Sequence, residues 1–140
     1  MYVIRVQRGG QDSYLARNYG RRPYRWADAR PDHAVTFPTE EEAIEVAYGR
    51  ERDGTVARVV WSPLSRGAEP PRRKRGFVIA VHGNTDVYAV VRDGVLRWER
   101  GPGAVDEAFR FSSRVLAVQM MERGFGGFSG IVAVVEELRY

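Results

Sequence analysis

The feature that most constrains this chain is that it matches itself at an offset of 72 to 76 residues. Tyr2, Val3, Ile4 and Val6 correspond to Phe77, Val78, Ile79 and Val81. Tyr14 corresponds to Tyr88, and Arg25-Trp26 to Arg97-Trp98. Further along, Ala34, Phe37, Thr39 and Ala43 recur with identical spacing as Ala108, Phe111, Ser113 and Ala117, and Val56, Ala57 and Val59 recur as Val132, Ala133 and Val135. One such match is chance, but the same motifs in the same order twice imply an internal duplication. The expected organisation is a first repeat over 1–62, a linker over 63–75 and a second repeat over 76–140. The linker segment holds Pro63, Pro70 and Pro71 and has no apolar periodicity, which is why it reads as a connection.

Each repeat opens with a period-two strand, with Tyr2, Ile4 and Val6 on one face against Arg5 and Gln7, and likewise Phe77, Ile79 and Val81 against Ala80 and His82. A second strand is expected around Tyr14 or Tyr88. Asp93-Gly94 lies between two β-prone runs and predicts a tight hairpin, because both turn positions require positive φ. The first repeat has the longer RNYGRRP segment there instead. Thr39 followed by Glu42 is a capping box and Ser113 stands at the matching place, so helices of about ten residues are expected after each, stopped at Gly49 and Gly124. Returning strands are expected near 55–62 and 130–136. The fold class is therefore α+β, with two β-β-β-α-β units, each a small antiparallel sheet covered by one helix. The expected core comprises Ile4, Val6, Trp26, Phe37, Ala43, Ala47 and Val59 in the first unit. In the second it comprises Ile79, Val81, Trp98, Phe111, Ala117 and Val135.

Composition removes whole classes of chemistry. Without cysteine there is no disulfide framework, thiolate metal site or cysteine nucleophile, and His33 and His82 are the only imidazoles. No metal site, cofactor or catalytic residue is expected. No window approaches the ~18 apolar residues of a membrane span, and MYVIRVQRGG lacks the apolar core of a signal peptide, so the expectation is a cytoplasmic protein that does not engage membranes.

The net charge of +4 is concentrated rather than spread. Arg72, Arg73, Lys74 and Arg75 form one run, and residues 1–30 carry seven arginines against only Asp12 and Asp28. Within that stretch Arg17, Arg21, Arg22 and Arg25 alternate with Tyr14, Tyr19, Tyr24 and Trp26. Tyr14 and Trp26 have counterparts in the second repeat and read as core. The remaining set, Arg17, Tyr19, Arg21, Arg22, Tyr24 and Arg25 with the 72–75 run as auxiliary, is the candidate partner-binding surface. Guanidinium groups pair with phosphates and rings stack on bases, so a nucleic-acid loop fits. Arginine and tyrosine are equally the residues that protein interfaces favour, and a solvated loop is the third reading.

Other motifs carry less. GFGGFSG at 124–130 resembles a phosphate loop but follows a helix and precedes a strand, the reverse of a dinucleotide fingerprint, and reads as a connection with Phe125 and Phe128 folded over the core. His82 has no marked nucleophile near it in sequence. Glu40, Glu41 and Glu42 sit at a helix N-terminus, where the macrodipole favours negative charge without any acid–base role. Helix two, Val115 to Met121, is apolar almost all round, which fits either a buried centre or a contact surface.

Trp26 followed by Ala34, Phe37, Thr39, Glu41, Glu42 and Ala43, the pattern W then A-x-x-F-x-T-x-E-E-A, resembles small domains of bacteriophages and mobile elements that begin with a strand similar to YVIRV. The first repeat carries the pattern well. The second replaces its acidic positions with Arg114, Val115 and Leu116. The resemblance implies a non-enzymatic phage-type regulator or inhibitor docking on a host machine, for example bacterial RNA polymerase or a CRISPR effector; the alternative is a nucleic-acid-binding module.

Overall fold

The computed structural model describes residues 1–81, 84–123 and 133–138. The chain is mixed α+β and divides into two compact units, Met1–Glu69 with Asp93–Val95, and Pro70–Arg92 with Leu96–Tyr140.

In the first unit the chain forms β1 (Tyr2–Arg8), β2 (Gln11–Arg17), β3 (Tyr24–Asp28), a 3-10 turn (Pro31–His33), α1 (Glu40–Ala47), β4 (Glu51–Arg52), β5 (Thr55–Val56) and β6 (Arg58–Trp61). Four strands make an antiparallel sheet in the order β3-β2-β1-β6. Gly9 and Gly10 close the β1–β2 hairpin with φ of 54° and 80°, the pair of positive values a two-residue turn of this hand needs. β1 and β2 pair only from Arg5–Tyr14 to Arg8–Gln11. Beyond that point the strands part and the segment 34–37 fills the gap. Tyr2 and Phe37 exchange both backbone hydrogen bonds at 2.8 Å, and the Val35 N–H donates to the Leu15 carbonyl at 2.9 Å. α1 then lies on β1 and β6. The Thr39 hydroxyl accepts from the Glu42 N–H at 3.3 Å as the N-cap, and Ala43, Ile44 and Ala47 are the buried apolar stripe of the helix.

In the second unit β7 (Gly76–Val81), β8 (Asn84–Arg92), β9 (Val95–Arg100), α2 (Ala104–Glu107), α3 (Arg114–Glu122) and β10 (Ala133–Leu138) follow in order. The sheet order is β10-β7-β8-β9. Phe77 and Phe111 exchange backbone hydrogen bonds at 3.0 and 2.8 Å, and the Phe109 N–H donates to the Ala89 carbonyl at 2.9 Å. The Ser113 hydroxyl caps α3 by accepting from the Leu116 N–H at 3.2 Å. Val78, Ala80, Tyr88, Ala104 and Ala108 form a buried cluster. Gly76 must be glycine: its φ is 144°, and a Cβ there would collide with the Phe111 carbonyl oxygen.

These contacts explain the repeated spacing. Ala34 and Ala108 bridge to Ala16 and Val90, and Phe37 and Phe111 bridge to Tyr2 and Phe77 at the start of the opening strands. Thr39 and Ser113 are the two N-caps, and Ala43 and Ala117 are fully buried helix positions.

Several expectations need correction. Trp26 and Trp98 are half-buried rather than central because β3 and β9 stand at sheet edges, and Phe37 and Val81 are half-buried as well. The side chain of Val135 is outside the described residues. The strand expected over 55–62 is interrupted at Ala57: residues 55–56 pair back on β4 through the Asp53-Gly54 turn, with φ of 50° and 80°, and β6 begins at Arg58. The helices span eight and nine residues. In α3 only Ala117 and Met120 are buried, while Val115 is 64% exposed, so its apolar sequence does not make it an enclosed helix. The returning strand runs Ala133–Leu138. His82, Gly124, Phe125 and Phe128 lie outside the described residues. The start of the 63–75 segment is tied down: the Ser62 N–H donates to the Met1 carbonyl at 2.8 Å, the Met1 ammonium to Ser65 Oγ at 2.8 Å, and Trp61 Nε1 to the Gly67 carbonyl at 3.3 Å.

Candidate functional site

The first-unit arginines and tyrosines fall on one hairpin. β2 and β3 pair from Ser13–Asp28 to Arg17–Tyr24, and the Asn18 N–H donates to the Pro23 carbonyl at 2.9 Å, extending the ladder into the loop. Arg17 and Tyr24 are therefore directly opposed on one face, Arg25 stands on the other face opposite Ala16, and Tyr19, Arg21 and Arg22 form the tip. Arg17, Tyr19, Arg21, Arg22 and Arg25 are all exposed, with Tyr19 at 97%. Tyr24 is half-buried, and the Arg50 guanidinium stands over its ring at 4.8 Å. No acidic residue occurs between Asp12 and Asp28. Among the described residues, no carboxylate pairs with Arg17, Arg21, Arg22 or Arg25. Arg72, Arg73, Lys74 and Arg75 belong to the second unit and are exposed, with an Arg72 Nη1 bond to the Val91 carbonyl at 3.4 Å.

Sequence reading missed a second cluster in the first unit. Val6, Arg8, Gly9, Gln11, Ser13, Asp28, Arg52 and Asp53 line an open cleft of about 450 Å³. Ser13 Oγ donates to Asp28 Oδ1 at 2.7 Å and accepts from Arg52 Nη1 at 2.8 Å, Arg52 ion-pairs with Asp28, and Arg8 pairs with Asp53 at 3.0 Å. The hydrogen bond from Ser13, and then the Arg52 guanidinium, hold the Asp28 carboxyl below its usual range. These contacts tie Arg52, at the β4–β5 turn, to Ser13 and Asp28 of the sheet. The Asp-Gly pair at 53–54 is the signal that locates this turn in the sequence.

In the second unit Arg92 is compensated by two carboxylates. Arg92 makes bonds of 2.8 and 2.6 Å to the two carboxylate oxygens of Glu99 and also pairs with Glu107, which raises the arginine pKa and lowers that of Glu99. His33 stands in an exposed group with Arg30 and Asp32. Among the described residues there is no group of three or more His, Asp or Glu side chains placed to hold a metal ion, and no helix long and apolar enough to cross a membrane. No protein-family model, curated protein or solved structure matches the chain.

Proposed function

We propose that the chain is a non-enzymatic docking protein, a phage-type regulator or inhibitor whose first unit engages a host protein assembly through the Arg/Tyr hairpin. The observation that carries this reading is a hairpin end with four arginines and an almost fully exposed tyrosine, and no counter-charge among the described residues. Exposed guanidinium groups and tyrosine are what interfaces favour, since both give contact area and directional hydrogen bonds. A protein partner fits better than nucleic acid for a geometric reason. The arginines leave both faces and the tip of the hairpin instead of tracking one groove, and one face of the Tyr24 ring, a potential stacking platform, is taken by Arg50.

The finer organisation belongs to the same proposal: the two units descend from one duplicated β-β-β-α-β unit. The equal strand order, the paired bridges at Phe37 and Phe111, and the N-caps Thr39 and Ser113 support it. After duplication one hairpin kept a short turn and the other gained the charged loop.

The test is capture from nuclease-treated host extract with the full chain and with an Arg21→Ala, Arg22→Ala variant. The expected result is a partner retained after nuclease treatment and weakened at least about tenfold by the double substitution, as for a central interface pair. Capture that disappears with nuclease, together with a steep salt dependence on naked RNA or DNA, would replace this reading with the nucleic-acid one.

A further inference from the structure

β3 is the end strand of the first sheet, with β2 on its inner side. The Ala29 N–H donates to the Asp12 carbonyl at 2.8 Å and the Asn18 N–H to the Pro23 carbonyl at 2.9 Å, so positions 12/29 and 18/23 are hydrogen-bonded pairs. Such pairs alternate along an antiparallel ladder, which assigns 14/27 and 16/25 to the same class. The main-chain N–H and C=O groups of Arg25 and Ala27 therefore point inward to β2, and those of Tyr24, Trp26 and Asp28 point outward. Among the described residues no strand or backbone group bonds these outward groups.

An open edge of this kind accepts another strand, and side-chain charge decides which. A second copy of the chain is disfavoured: in antiparallel pairing of β3 with itself Arg25 falls opposite or diagonal to its own copy on the same face, and like charges across a strand pair repel. An acidic strand meets the opposite situation. One of its faces would lie beside Arg25 and the other beside the half-buried Tyr24 and Trp26, so alternating acidic and apolar side chains satisfy both. Asp28 offers little opposition at the far end, because Ser13 and Arg52 already engage its carboxylate.

We propose that the outer edge of β3 is a strand-addition site for an extended acidic segment of a protein partner, with Glu or Asp alternating with apolar residues. The inference rests on the docking reading above and adds the mode of recognition: main-chain bonds from Tyr24, Trp26 and Asp28 supply the register, and Arg25 with the hairpin tip supplies the charge selection.

The experiment uses the full chain and a heptapeptide of alternating Glu and Val, followed by amide hydrogen exchange read residue by residue. The expected result is slowing of about tenfold or more at the amides of Tyr24, Trp26 and Asp28, with little change at Arg25 and Ala27, whose bonds already exist. The same peptide N-methylated at every residue keeps its charge and side chains but cannot donate along either edge, and should give no protection; a Lys/Val peptide should give none either. Equal binding by the N-methylated peptide, protection outside those three amides, or no binding of the Glu/Val peptide at millimolar concentration would overturn strand addition. An oligonucleotide protecting the same three amides would overturn it as well. These results separate the two proposals: if strand addition fails while Arg21→Ala, Arg22→Ala still loses the nuclease-resistant partner, the docking reading stands and only its mode is wrong.

Discussion

The β2–β3 and β8–β9 hairpins occupy the same place in their strand orders, yet handle charge differently. The second turns through Asp93-Gly94 with φ of 51° and 77° and ties Arg92 to Glu99 and Glu107. The first spends the loop 18–23 on the same reversal and leaves Arg17, Arg21, Arg22 and Arg25 without a carboxylate among the described residues. An unneeded loop that is also uncompensated in charge is not explained by folding, because a short turn and internal ion pairs serve the same connection elsewhere in the chain. That contrast is the reason to place partner contact in the first unit.

The contrast breaks most readily in the core. Phe111 is 1% exposed and stacks edge-on against Phe109 at 4.9 Å, whereas its counterpart Phe37 is half-buried. Phe111→Ala should cost about 3–5 kcal/mol through the cavity it leaves, and Phe37→Ala distinctly less. Urea unfolding of both variants checks this, and equal losses would show that the two wedges carry equal weight.

A smaller effect tests whether the units are built alike. Thr39→Ala and Ser113→Ala each remove an N-cap hydroxyl and should each destabilise by about 1 kcal/mol. Thermal unfolding that responds to one cap alone would break the equivalence of α1 and α3.

The pH dependence sharpens the electrostatic side. Hydrogen bonds from Ser13 and Arg52 keep Asp28 below its ordinary 3.8, and Arg92 keeps Glu99 below its ordinary 4.5. In the unfolded chain both regain ordinary values, so the unfolded state binds protons first as the solution is acidified. Each pair therefore stabilises fully above those ordinary values and loses its contribution as pH falls through the depressed ones. Ser13→Ala should raise the Asp28 value toward 3.8 and leave Glu99 unmoved, as carboxyl resonances followed by NMR titration would report.

The smallest effect is on the proposed surface itself. Arg21→Ala with Arg22→Ala should change stability by less than about 0.5 kcal/mol, since both side chains are exposed and unpaired among the described residues. A larger loss by chemical denaturation would mean that the loop supports the fold and would remove the argument drawn from its exposure.

The sequence by itself determined the two opening strands, the N-caps and the positive-φ turn at 93–94. Each depends on residues within a few positions of one another: alternating side chains, a hydroxyl near an orphan N–H, or a backbone angle that Gly tolerates. It also marked the Arg/Tyr set, because composition and exposure follow from charge. Only the tertiary structure decided what A-x-x-F is for, since the wedge joins Phe37 to Tyr2 and Val35 to Leu15, and pairing between segments far apart in the chain leaves no local pattern. It decided that Trp26 and Trp98 are half-buried, because burial depends on where β3 and β9 stand in their sheets and not on the hydrophobicity of indole. It also decided the Ser13–Asp28–Arg52 clamp, for which three polar residues on separate strands must converge, and the outward phase of Tyr24, Trp26 and Asp28. Hydrogen-bond phase is set by a partner strand, and no single strand's sequence contains it.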